Sequence, residues 1–151
     1  MSPKLDIKEN LRQEIQYLQK ATNILIYSFN HCEKIGIKSD YTLDELDKWE
    51  VFTSRFARTC DITTQKIISS IMVFEKGFIG SMKDKAAFCE KNLLTTTEQE
   101  FISLRLTRNF IAHEYIQEDS NDIFKEVLSF YPILLNLIES VVRYCNEKIL
   151  Y

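Results

Sequence analysis

Eight positions, Trp49, Phe52, Phe56, Cys60, Thr63, Ile67, Ile71 and Phe74, recur along the middle of the chain in steps of three or four. At about 100° per residue they fall within one sector of about 100°, an arrangement that a helix of about seven turns produces and a strand cannot. A stripe of this length needs other helices to cover it. Leu11, Ile15, Leu18, Thr22, Leu25, Phe29 and Cys32 provide a first one, stepping by four and three in alternation. Phe124, Val127, Leu128, Tyr131, Leu134, Leu135, Ile138, Val141, Val142, Cys145 and Ile149 provide another near the C-terminus. No stretch alternates as a strand would, and nothing repeats.

Punctuation between the stripes is sparse. With three glycines and two prolines the chain has few places to turn, so its elements must be few and long. The first helix should stop near Gly36 and be followed by a loop over Lys34 to Asp40. Thr42-Leu43-Asp44-Glu45 then opens the second as a capping box. Gly77 and Gly80 end it, and Ser81 caps a short helix running to about Leu94. Thr96 and Thr97, with Gln99 and Glu100 three residues later, form a second capping box for a helix from Glu98 to near Tyr115. The polar run Gln117 to Asn121 reads as a turn, with Ser120 or Asn121 capping the last helix. Pro132 should kink that helix without breaking it, because the apolar rhythm continues on both sides. The expectation is an all-α, antiparallel bundle of about five helices, one domain over residues 1–151, large enough to bury roughly 70% of its unfolded surface.

Cys32, Cys60, Cys89 and Cys145 lie far apart, with no Cys-x-x-Cys pair and no histidine at zinc-ligand spacing, so they read as small buried hydrophobes in a reducing compartment and no metal is expected. Met1-Ser2-Pro3-Lys4-Leu5-Asp6 has charges where a signal peptide would have its apolar core. The longest apolar run, Ile24 to Tyr27, is far too short to span a bilayer. A cytoplasmic location without membrane contact follows as the expectation. The net charge of -3 argues against a protein that coats nucleic acid, so any RNA contact must rest on a local basic patch. Arg55, Arg58 and Lys66, on the side of the second helix away from its apolar stripe, are candidates for that patch, as is Arg105. The alternative is a solvated face.

One segment reads as chemistry: Arg108-Asn109-Phe110-Ile111-Ala112-His113-Glu114-Tyr115. A histidine moves protons near neutral pH, and an arginine holds a phosphate and the charge it gains in a transition state. On a helical wheel Arg105, Arg108, Asn109, Ala112, His113 and Tyr115 occupy a sector of about 160°, leaving Leu104, Leu106, Phe110 and Ile111 to pack into the bundle. Arg108 and His113 diverge by about 140°, so they converge on one phosphate most readily if two copies of the face meet across a two-fold axis. Small Ala112 would let the helices approach. His31, beside Cys32, reads as a helix C-terminal histidine favoured by the dipole.

Arg108-Asn109-x-x-Ala112-His113-x-Tyr115 resembles the signature of the HEPN superfamily, and the tyrosine two residues after the histidine resembles its HepT-like branch. The stretch from Thr42 to Asp61, with Leu46, Trp49, Phe52, Phe56 and Ala57, is also similar to that branch. The resemblance implies a homodimeric, metal-independent endoribonuclease without a cofactor, acting as the toxin of a toxin–antitoxin pair. Arg108 and His113 would be catalytic and Asn109 would orient the scissile phosphate or the histidine. Tyr115 would be adenylylated by a minimal nucleotidyltransferase antitoxin. The same resemblance covers relatives described as non-catalytic, substrate-binding subunits of nucleotidyltransferases, and a plain helical dimerisation module is a third reading.

Overall fold

The structure is a computed structural model that describes residues 2–114 and 120–151, with all side chains among them except those of His113 and Glu114. Helix α1 spans Pro3–Ile35. Ser2 caps it, its hydroxyl accepting from the Leu5 amide at 3.2 Å, and Pro3 occupies a first-turn position where no donor is lost. It stops where Gly36 takes φ 73° and returns its amide to the Cys32 carbonyl, a conformation open to glycine at little cost.

The second rod is one continuous helical path with three geometries. Helix α2 spans Leu43–Asp61, a π-helical turn covers Ile62–Ile67, and α3 runs Ile68–Lys76 before Gly77 ends it at φ 82°. The Thr42–Glu45 capping box forms with both reciprocal bonds, at 3.0 and 3.1 Å. Within the π turn the Ile68 amide reaches back five residues to the Thr63 carbonyl. A cluster of threonines explains the loosening. Thr59, Thr63 and Thr64 each donate to the carbonyl four residues earlier at 2.7 to 2.8 Å, competing with the backbone for its own acceptors. The apolar stripe survives, since Trp49, Phe52, Phe56, Cys60, Thr63, Ile67 and Ile71 are all buried and Phe74 is partly so.

Helix α4 spans Met82–Lys91 behind a Ser81–Asp84 capping box. It is three residues shorter than the sequence suggests. Leu93 turns left-handed at φ 60°, the Leu94 amide closes on the Cys89 carbonyl at 2.8 Å, and the Asn92 side chain takes the Phe88 carbonyl at 2.9 Å. Helix α5 spans Glu98–Glu114 and α6 spans Ser120–Lys148, unbroken through Pro132. Ser120 and Asn121 both lie inside α6. Asn121 ties α6 to the α1–α2 loop, donating to the Lys38 carbonyl at 2.7 Å and accepting from the Tyr41 hydroxyl at 2.5 Å.

The described residues are all helical or irregular, and they form the all-α bundle that the stripes imply, with five rods. Pairings of Cys32 with Lys48, Ser28 with Arg55 and Glu14 with Ser70 run in opposite senses along α1 and the second rod, so the two are antiparallel. Helix α5 packs on α2, α4 and α6. Trp49 stacks on Phe124 at 4.6 Å and Phe29 on Tyr131 at 4.1 Å, locking α6 across α1 and α2. By length and mean hydropathy of 1.2, α6 would suffice to cross a bilayer, but its apolar face is the core itself, with Phe124, Val127, Leu134 and Val141 fully buried. All four cysteines are free and buried, and burial pushes the Cys60 thiol up to about 11 and the other three to about 12.

Candidate active-site face

Helix α5 brings its polar sector against the second rod at the start of the π turn. There Asp61, flanked by buried Cys60 and Ile62, meets two arginines from α5. Arg108 Nε donates to both Asp61 oxygens at 2.9 and 3.0 Å. Arg105 Nη1 donates to Asp61 Oδ1 at 2.7 Å and to Thr64 Oγ1 at 3.2 Å. With its amide oxygen turned toward α5, Gln65 accepts from Arg105 Nε at 2.9 Å and Nη2 at 3.2 Å. Burial alone would raise the Asp61 carboxyl, but hydrogen bonds and charge from Arg108 and Arg105 hold it below its ordinary value. The same hydrogen bond raises the Arg108 guanidinium above its own.

Arg105 and Arg108 have different surroundings. The Arg105 side chain is only 13% exposed and is enclosed by Asp61, Thr64 and Gln65, so its charge serves the interior. Lys85 of α4 is buried nearby. Burial first, then the Arg105 charge, lower its pKa, and with the Gln65 oxygen turned to Arg105 the atom 3.4 Å from its amine is the Gln65 amide nitrogen, which cannot accept. Arg108 is more open and lines two adjoining hollows. One, of about 370 Å³, also takes in Tyr17, Arg58, Asp61 and Lys66. The other, of about 430 Å³, is floored by Ser54, Ala57, Ile111 and Ala112. With Nε held by Asp61, the two Nη groups of Arg108 share no hydrogen bond with the described side chains.

The π turn regroups the basic residues. In an unbroken α-helix Lys66 would lie over Arg55, about 20° away, with Arg58 about 60° to the side. One extra residue in the turn winds Lys66 back by about 100°, toward Arg58. Arg58 and Lys66 accordingly share the Arg108 hollow, while Arg55 turns to α1, donating to Ser28 Oγ at 2.5 Å. The three do not form one stripe. Asn109 and Ala112 are exposed on the α5 face, and Leu104 and Ile111 are buried, but Leu106 points out at 55% exposure instead of packing inward. His113 lies in the last turn of α5, and Tyr115 lies outside the described residues.

No protein-family model, curated protein or solved structure matches this chain.

Asp61 is the site residue that sequence reasoning missed. Its signal was present: an acid between Cys60 and Ile62 borders the apolar stripe of the second rod, and carboxylates in such places need a partner. Among the described residues no three of His, Cys, Asp and Glu converge as a metal-ligand group would.

Proposed function

We propose that the protein is a metal-independent endoribonuclease toxin, active in the cytoplasm as a homodimer and neutralised by a minimal nucleotidyltransferase antitoxin. The observation that supports this reading best is the state of Arg108. Its Nε is committed to Asp61, its remaining donors are uncommitted among the described side chains, and it borders a hollow that already contains Arg58 and Lys66. A guanidinium anchored on one edge is pre-aimed, and its Nη pair suits a phosphate oxygen fork. His113 follows five residues later on the same helix.

In this reading the RNA 2′-hydroxyl attacks the adjacent phosphorus. A base takes the 2′ proton as the new O–P bond forms, an acid protonates the departing 5′ oxygen as its P–O bond breaks, and the product carries a 2′,3′-cyclic phosphate. His113 of each of two subunits would fill these roles. Arg108 would stabilise the charged phosphorane, and Asn109 would orient the phosphate. Ser54, Ala57 and Ala112, all small, floor the hollow beside Arg108 and would admit a second copy close by.

Asp61 also favours a second reading. A carboxylate already neutralising two arginines makes Arg108 a structural cation, as a non-catalytic nucleotide-binding partner of a nucleotidyltransferase would require. Incubation with RNA in excess chelator separates the two. The nuclease should cut and leave cyclic phosphate ends. Activity should disappear in His113→Ala and Arg108→Ala with the fold intact, and nearly so in Arg108→Lys. Cleavage that needs added divalent metal, or that survives both alanine changes, would refute the mechanism.

A further inference from the structure

A second hollow, of about 240 Å³, opens between α1 and α2 on the other side of Arg55. It is lined by Tyr27, Ser28 and His31 from α1 and by Asp47, Lys48, Val51 and Arg55 from α2. Tyr27 is 63% exposed, with its ring edge-on to His31 at 4.6 Å between centroids. So large an exposed aromatic, supported by a second ring, presents a stacking surface. Arg55 uses one Nη1 bond to fix itself on Ser28 and has further donors to offer. Lys48 also lines the hollow and leans toward Asp44 at 3.0 Å in an exposed pair, so the hollow has the carboxylate of Asp47 toward one end and the guanidinium of Arg55 at the other.

We propose that this hollow binds one unpaired nucleotide of a single-stranded RNA, and that it selects bases carrying an exocyclic amino group. Tyr27 stacks on the base, and His31, edge-on to Tyr27, braces that ring. Asp47 accepts from the amino group, which cytosine, adenine and guanine have and uracil lacks. Arg55 takes the phosphate. The charges fit this polarity, because a phosphate beside Asp47 would be repelled. Arg55 is also the end of the hollow nearer Arg58 and Arg108, Asp47 lying eight residues, about 12 Å, further back along α2. From the middle of the hollow near Val51 to Asp61 is about 15 Å of helix, or about four stacked nucleotides at 3.4 Å each. The base would thus be read a few nucleotides from the cut. This inference rests on RNA being the substrate, and it adds where a base is recognised.

The test uses the full chain carrying His113→Ala, so that RNA binds without being cut. Fluorescence anisotropy with labelled 12-mers of cytidine and of uridine should show tighter binding of the cytidine strand. Tyr27→Ala should weaken both by about tenfold or more, and Asp47→Ala should abolish the preference for cytidine. Tyr27 and Asp47 are exposed, so melting temperatures should not move. Equal binding by parent, Tyr27→Ala and Asp47→Ala forms would overturn the hollow and leave the cleavage reading standing. Failure of the parent to bind either strand would overturn both. A change of sedimentation on Tyr27→Ala with RNA binding unmoved would assign the hollow to a subunit contact and overturn it as a base site.

Discussion

Removing the Asp61 carboxylate tests whether the α5 face is held by the charge pair that the geometry indicates. Breaking one end of a fully buried pair costs about 3–5 kcal/mol, and an exposed pair contributes about 0–1. Here the side chains of Asp61, Arg105 and Arg108 are 35%, 13% and 29% exposed, so solvent screens the group and Asp61→Ala should cost about 1–2 kcal/mol. For a chain of this size that is a fall of about 4 °C in melting temperature at fixed protein concentration. The pH dependence follows from the depressed carboxyl. In the unfolded chain Asp61 binds its proton near the ordinary value of about 3.9, whereas the folded form holds out to lower pH. The advantage over Asp61→Ala is therefore complete above about pH 5 and shrinks as pH falls below about 4. A double-mutant cycle with Arg108→Ala isolates the pair and should give a coupling of at least about 0.5 kcal/mol. Urea or thermal unfolding at pH 7 and pH 3 reads all of this. A loss under about 1 °C, or one that is the same at both pH values, would show that the pair does not hold the face.

Sedimentation should find a dimer at micromolar concentration. If each site takes Arg108 from one chain and His113 from the other, mixed dimers of Arg108→Ala and His113→Ala should recover cleavage that neither parent has; no recovery rejects the shared site. Tyr115→Phe should keep much of the cleavage activity and gain no adenylyl mass with the nucleotidyltransferase and ATP. Its modification to the wild-type extent by mass spectrometry would remove Tyr115 from the scheme. Lys85→Met should raise the melting temperature, because the folded chain penalises a buried ammonium while the unfolded chain does not. In wild type that penalty is relieved as pH climbs through the lowered folded pKa toward 10.5, so the gain should narrow in alkali.

Most of the helix plan was legible from local pattern. The stripes of α1, the second rod and α6, the Thr42–Glu45 box and the stops at Gly36 and Gly77 all depend on residues within a few turns of each other. Helical period and capping chemistry act at that range. The motif on α5 was likewise visible as residue types at a spacing, and its partners were not. Asp61 is 44 residues from Arg105 and 47 from Arg108, and no periodicity links positions on different rods. The π turn escaped for a different reason. Its threonine back-bonds are local, but the extra residue in the turn, which moves Lys66 toward Arg58 and away from Arg55, leaves the steps of three and four in the sequence unchanged. Burial of Lys85 and the inward turn of Arg105 were equally outside its reach. The sequence by itself determined which segments are helices and which face of each is apolar, because those follow from short-range geometry. Only the tertiary structure decided which charges are neutralised inside and which are presented outside, because that depends on which rods lie side by side.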